Sequence, residues 1–385
     1  MIYHNGEMIR VCYVIDTINS PTAGTEIQLL RLIKHLNKDH FHPYLCILHS
    51  SPWLKESFQD CEVFDIGFGS FSDAYSYSAI VRFVNFLRQQ KIAIVQTYFV
   101  DGNKVGVVAA SLAGIPIVIS CRRNQGFWHT RLERLVLKLL NHMVTMFVAN
   151  SNSTRQWSIE HEGLAPEKIT VIRNSIEPAA FQPPSLQRRQ SARFKLGIPM
   201  DVSVVGIVAN LRQVKGIEVF LKAASIVHKR LPSSRFLVVG SGPLRQSLEY
   251  QAKELELGKC VLFLGGCKNV PEILPAIDVG VLASFSESSS NALLEYLASG
   301  LPIVSTDVGD VKEMVENGRD GFIVPVGDYN SLADRIVHIL TGGLDRVERT
   351  CVNHLPFLLP ETMTKAYEAL YVTLLQQYPS LCQYD

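Results

Sequence analysis

Residues 284–309 constrain this chain more than any other stretch. An apolar run, residues 279–283, precedes them and has the character of a buried parallel strand. A polar turn follows, residues 286–290. Ala292, Leu293, Leu294, Leu297 and Ala298 then recur at helical spacing until Gly300 and Pro302 stop the helix. Residues 303–305 begin the next strand. Strand, polar turn, short helix, strand leaves a helix N-terminus at the turn, with unpaired backbone N–H groups and a partial positive charge, which favours an anion. Glu287 sits in the turn and Glu295 about one turn into the helix. A carboxylate repels phosphate but accepts hydrogen bonds from vicinal hydroxyls. The pattern therefore fits a phosphate at the helix end with polyol groups on either side, the chemistry of a sugar nucleotide. The plainer alternative is a helix with one capping acid and one surface acid.

Length and composition set the frame. The 385 residues suit two domains, and 47% hydrophobic with 19% charged residues supplies apolar side chains for two cores. A net charge of +1 provides no global field for nucleic acid. The eight cysteines, at 12, 46, 61, 121, 260, 267, 351 and 382, are scattered without a C-x-x-C pair. That usage argues against a zinc site or a disulfide framework and fits a reducing cytoplasm. The start of the chain is polar, without a signal-peptide core, and no apolar run reaches membrane-spanning length.

Along the chain, strand-like runs at residues 9–15, 44–48, 63–66, 93–96, 117–120 and 146–149 alternate with helical stretches. The second half repeats the alternation from residue 203. A doubly wound, parallel α/β sheet in each half is the expectation. The Pro-bearing segment 175–199 is taken as the linker between them.

Glu287 and Glu295, with seven residues between them and followed by Ala-Ser-Gly-Leu-Pro-Ile-Val-Ser-Thr, resemble the E-x7-E segment of retaining glycosyltransferases of family 4, which have the GT-B fold. The resemblance covers nearly the whole chain and is stronger in the second half. It implies two Rossmann-like domains facing a central cleft: an acceptor-binding domain over residues 1–180, a donor-binding domain over 181–360, and a C-terminal helix, 361–385, crossing back to the first. Glu287 would hold donor-sugar hydroxyls and Glu295 the ribose. Ser290, Asn291 and Ala292 would offer backbone amides. Relatives carry Gly-Arg-Leu-x-x-x-Lys-Gly after the first strand of the second domain; Lys215 matches its Lys. Asn210 stands at the Arg position, so Arg212 is expected to take the Arg's task. Without a metal, a diphosphate needs such cations, since one unit pair at ~4 Å contributes roughly 4 kcal/mol at an effective dielectric near 20. Arg245 follows a Gly-x-Gly-Pro run, Gly240 to Pro243, and is expected near the site; backbone around residues 266–270 would face the base. Gly24, where relatives have Gly-Gly and this chain has Ala23-Gly24, would let backbone approach the diphosphate.

The first half departs from the family at the ends of two strands, where His is usual. Gln96 and Tyr98 occupy one, and Arg122, Arg123 and Asn124 the other. The two arginines suit an anionic acceptor or the leaving phosphate, or are surface charge on a loop. His129 is read as a loop residue. The helix over residues 131–141 carries Leu132, Leu135, Val136, Leu139 and Leu140 on one side and Arg131, Arg134 and Lys138 on another. It suits either docking to an anionic membrane or core packing with a solvated basic face; the second is preferred.

The resulting expectation is retaining transfer of a hexose from a nucleoside-diphosphate sugar to a polysaccharide or lipid-linked acceptor. The setting is cytoplasmic, with possible peripheral contact with the inner membrane face. No D-x-D motif is present, so no divalent ion and no cofactor beyond the donor is expected. The alternatives are a sugar-nucleotide 2-epimerase or hydrolase on the same fold and a non-catalytic partner subunit.

Overall fold

The computed structural model describes residues 8–21, 24–125, 130–181, 185–267, 269–344 and 356–378. Ala23, His129 and the Pro183–Pro184 pair of the expected linker lie outside these. The chain divides into two compact units, residues 1–175 with 360–385, and residues 176–359.

The first unit runs β1 (Ile9–Ile15), α1 (Gly24–His35), β2 (Phe41–Ile47), α2 (Pro52–Ser57), β3 (Glu62–Asp65), α3 (Ala74–Gln89), β4 (Ile94–Thr97), α4 (Val100–Ala113), β5 (Ile117–Arg122), α5 (Arg131–Leu140), β6 (Met146–Ala149), α6 (Asn152–Trp157) and β7 (Ile169–Val171). Its sheet has the order β3-β2-β1-β4-β5-β6-β7, with every pairing parallel. The second unit runs α7 (Leu186–Leu196), β8 (Val204–Val208), α8 (Ile217–Arg230), β9 (Arg235–Val239), α9 (Arg245–Glu254), β10 (Val261–Gly265), α10 (Val270–Ile273), β11 (Val279–Leu282), α11 (Asn291–Ala298), β12 (Ile303–Thr306), α12 (Val311–Met314), β13 (Gly321–Val324) and α13 (Tyr329–His338). Its sheet, β10-β9-β8-β11-β12-β13, is also parallel throughout. The inner strands, such as β1, β4, β5, β8 and β11, are largely apolar and buried on both faces, as helix-covered parallel sheets require, while the edge strands β3 and β10 are more exposed. In each sheet the order reverses beside the first strand, between β1 and β4 and between β8 and β11. Ligands of doubly wound sheets bind beyond the strand ends at such a reversal.

The last helix, α14 (Pro360–Gln377), belongs to the first unit. Tyr371 Oη donates to Gln96 Oε1 at 2.7 Å and lies 3.2 Å from Tyr13 Oη, while Gln96 Nε2 donates to Tyr98 Oη at 2.5 Å. All four side chains are buried. Burial pushes the three phenols above their ordinary range, so they stay neutral and serve as hydrogen-bonding groups. Gln96 and Tyr98, at the strand end where relatives have His, thus belong to a closed polar network in the core. Where the chain leaves this unit, Gln28 of α1 pairs with both backbone groups of Ser175, at 2.8 and 2.9 Å. Arg31 donates to the same carbonyl.

The segment taken as a linker is not one throughout. Ser185 caps α7 and Gly197 closes it in the left-handed region at φ +66°. Arg193 is wholly buried; it donates to the carbonyls of Ala276, Pro199, Met200 and Val202 and to Asp278 Oδ2 at 2.7 Å. Asp278 also accepts from Val204 N and pairs with Arg189. The helix is therefore fixed to the entrance of β8 by a satisfied buried charge cluster. Its polar composition and the surrounding prolines hide this in the sequence.

Candidate active site

In the second unit, the loops after β8 and β11 meet at the sheet's reversal. The loop after β8 closes as a 3-10 turn, Gln213–Lys215, and enters α8 through Gly216 at φ +60°. A Cβ at Gly216 would come within 2.0 Å of the Ala283 carbonyl, so only glycine lets this loop lie against the end of β11. Phe285 N donates to Val214 O at 2.8 Å and ties the two loops together. This approach delivers Lys215 Nζ to Glu287 Oε1 at 2.5 Å. The same oxygen accepts from Ser284 Oγ at 2.7 Å. Glu287 Oε2 has no hydrogen-bond partner among the described residues, although the side chain is only 9% exposed.

The turn bearing Glu287 is braced from behind. Thr306 Oγ1 donates to Ser284 O at 2.7 Å. Gly309, at φ +59°, lies so close that a Cβ would meet the carbonyls of Ser288 and Glu287 at 2.5 and 3.1 Å. The Ser-Thr-Asp-Val-Gly tail of the opening motif is thus a support for the turn. Ser290 caps α11, its Oγ accepting from Leu293 N. The amides of Asn291 and Ala292 belong to the first turn, outside the helix's own ladder. Glu295 is half-buried on the same helix. Its neighbour Tyr296 is buried, accepts from Val208 N at 2.7 Å and packs on Gly280, where a Cβ would meet the ring at 2.8 Å. Tyr296 therefore pins α11 over β8 and β11. Sequence reading missed it because a core aromatic gives no signal of that role.

Arg212 lies on the same loop as Lys215, exposed, with no side-chain partner among the described residues. Arg245 opens α9; its Nε donates to Glu249 Oε1 at 2.8 Å and its Nη2 to Phe263 O at 3.3 Å. Gly240 and Gly242 serve loop packing, since a Cβ at either would strike backbone of Ala209 or Leu211. In the first unit, Gly24 is the exposed first residue of α1.

A cavity of about 230 Å³ lies beyond the ends of β1, β4 and β5 in the first unit, at that sheet's reversal. Asp16, Phe99, Asn103, Arg122, Arg123 and Glu162 are among its lining. Arg122 is engaged by the chain itself. It bonds Glu162 through Nε at 2.8 Å, Ser120 Oγ through Nη1 at 2.6 Å and Asn141 Oδ1 through Nη2 at 2.8 Å, and it lies over the Phe147 ring. Of the two arginines marked by the sequence, Arg122 is thus closed into a buried ion pair, while Arg123 donates to Asn174 Oδ1. Phe99 holds φ +57°, rare for a bulky residue, at the start of α4.

Asp16 was not singled out by the sequence, where it is one acid in a polar turn. Its Oδ1 accepts from Gly102 N at 2.6 Å. Burial pushes its carboxyl up from 3.8 to about 6, outweighing that hydrogen bond. The folded chain thus binds this proton more tightly than the unfolded chain, and Asp16 costs stability as pH rises from about 4 through 6. Asp16→Asn keeps an oxygen for Gly102 N and removes the charge. It is expected to raise the melting temperature at pH 8 and to leave it nearly unchanged at pH 4, checked by thermal denaturation at both; an equal fall at both would contradict the assignment.

Comparison with known proteins gives this geometry a family. Residues 22–180 match the family model described as Glycosyltransferase Family 4, and residues 202–342 match Glycosyl transferases group 1. The UDP-Gal:alpha-D-GlcNAc-diphosphoundecaprenol alpha-1,3-galactosyltransferase of Escherichia coli is 28% identical over 68% of this chain and 70% of its own length. A D-inositol 3-phosphate glycosyltransferase of Corynebacterium urealyticum is 31% identical, over 47% of this chain and 45% of its own. Among solved structures, a glycosyltransferase from Rickettsia africae superposes with a TM-score of 0.80 at 16% identity, covering 96% of this chain and 99% of that one. The Anabaena protein HepE, in complex with UDP and glucose, gives 0.75 at 20% identity, covering 97% and 99%. The chain belongs to the glycosyltransferases of GT-B fold, a Family 4 domain followed by a group 1 domain.

Proposed function

We propose that this protein transfers a hexose, with retention, from a nucleoside-diphosphate sugar to a glycan or lipid-linked acceptor at the cytoplasmic face of a membrane. The observation that carries the reading is the Lys215–Glu287 pair at 2.5 Å with Glu287 Oε2 left over. An ammonium has three donors. One is held by Glu287, which leaves others for a diphosphate over the N-terminus of α11. Glu287 in turn keeps an oxygen for a sugar hydroxyl. Arg212 supplies the second cation, and the amides of Ser290, Asn291 and Ala292 the dipole end. Glu295, one turn along α11, receives the ribose. Arg245 borders the donor from the start of α9. Basic side chains do the work of a divalent ion, so turnover is expected without one.

Lys215→Ala is expected to lower kcat/KM at least a hundredfold and to abolish most nucleoside-diphosphate binding. Glu295→Ala is expected to weaken nucleotide binding about tenfold with little effect on inorganic pyrophosphate. Calorimetry against a panel of nucleoside diphosphates, with steady-state rates, checks both; wild-type affinity in Lys215→Ala removes the reading.

Membrane contact is assigned to α5. Leu132, Leu135 and Leu139 are 70%, 57% and 62% exposed, while Leu137, across the helix, is buried. This corrects the preference for a core-packed apolar face: the leucines that repeat at helical spacing point to solvent, with Arg134 and Lys138 exposed beside them. Such a helix lies in the headgroup boundary, and each leucine buried there contributes roughly 1.5–3 kcal/mol. No helix among the described residues is long and apolar enough to cross a bilayer. Replacing all three leucines with serine is expected to cut co-flotation with anionic vesicles at least tenfold while nucleotide binding persists; unchanged flotation refutes the docking face.

A further inference from the structure

The first-unit cavity contains a cation without a counter-charge. Arg123 Nη1 donates to Asn174 Oδ1 at 2.7 Å, and the guanidinium lies over the Tyr98 ring at 5.6 Å. Its Nε is buried without a hydrogen-bond partner, and no carboxylate among the described residues pairs with it. Two carboxylates line the same cavity and neither pairs with Arg123: Glu162 is taken by Arg122, and Asp16 accepts from Gly102 N. The surrounding phenols of Tyr98 and Tyr367 are buried and neutral. A cation taken from water without a partner is costly, and the cost is recovered when an anion arrives.

The helix beside the cavity indicates where that anion comes from. Leu137 lines the cavity, and Leu132, Leu135 and Leu139 project from the opposite side of the same helix. A helix with its side chains is about 10–12 Å across. An anion beside Arg123 therefore sits about one helix width from a bilayer surface that the leucines would enter. The cavity, about 230 Å³, has room for a phosphoryl group beside Arg123.

We infer that Arg123 and the first-unit cavity bind the phosphoryl group that joins the acceptor to its lipid. The inference rests on the glycosyl-transfer reading for calling this ligand the acceptor; the cavity itself is formed only by first-unit residues. Arg123 then orients the acceptor by its phosphate, and Arg122 holds the wall of the cavity in place through Glu162.

The test uses the full chain carrying Lys215→Ala, which removes the principal donor-site cation. Neutral phosphatidylcholine vesicles are prepared with and without a polyprenyl phosphate, and inorganic pyrophosphate serves as competitor. Polyprenyl phosphate is expected to raise the bound fraction at least tenfold. Adding Arg123→Gln should erase that gain, Arg123→Lys should restore most of it, and pyrophosphate should compete. The melting temperature of the Gln variant checks that it is folded. If the lipid phosphate has no effect, if the effect survives Arg123→Gln, or if only free pyrophosphate binds, the inference is overturned. Failure of the donor reading would show separately, as unchanged nucleotide affinity in Lys215→Ala.

Discussion

The contact between the loop after β8 and the turn after β11 is the constraint on which the second unit's chemistry depends. Those strands are neighbours because the sheet reverses its order there, and the reversal places two loops from distant parts of the sequence side by side. Gly216 removes the Cβ that would hold them apart, and Gly309 does the same behind the turn. What results is an ion pair, Lys215 with Glu287, in which the carboxylate fixes the cation and the cation takes part of the carboxylate's charge. A nucleophilic or acid–base group is not required of this corner. In the proposed function it binds charge that grows on a leaving diphosphate, and its parts are already placed before that charge appears.

The first unit has the same winding and a different loop chemistry. The strand end that carries His in relatives is occupied here by Gln96 and Tyr98, which close a buried network with Tyr13 and Tyr371. Three members of that network come from the sheet and its strand ends and one, Tyr371, from α14, so the last helix completes the unit's core. The neighbouring strand end presents two arginines in unlike settings, one paired and one not. A paired guanidinium is structural furniture, whereas an unpaired one has binding capacity in reserve, and sequence alone gives both the same appearance.

Much of this was legible in the residues. The alternation of apolar runs with helical stretches conveys two parallel α/β sheets, because a strand buried on both faces must be apolar throughout. The E-x7-E segment and Lys215 follow from resemblance, and the geometry places Lys215 against Glu287. What stayed hidden depends on contacts made across the chain. Arg193 lies in a polar, Pro-flanked stretch and is nevertheless fully buried, because five oxygen partners from elsewhere in the second unit converge on it. Asp16 looks like any turn acid until α4 closes over it. The leucines of α5 obey helical periodicity whether the stripe faces a core or solvent, so periodicity could not decide between them; their exposure does.

The most direct measurement is a crystal structure of the full chain with a bound nucleoside diphosphate. The account predicts the two phosphates over the N-terminus of α11, with Lys215 and Arg212 both within hydrogen-bond distance and Glu287 still bonded to Lys215. A diphosphate seated elsewhere, or Lys215 turned away from it into solvent, would contradict the account.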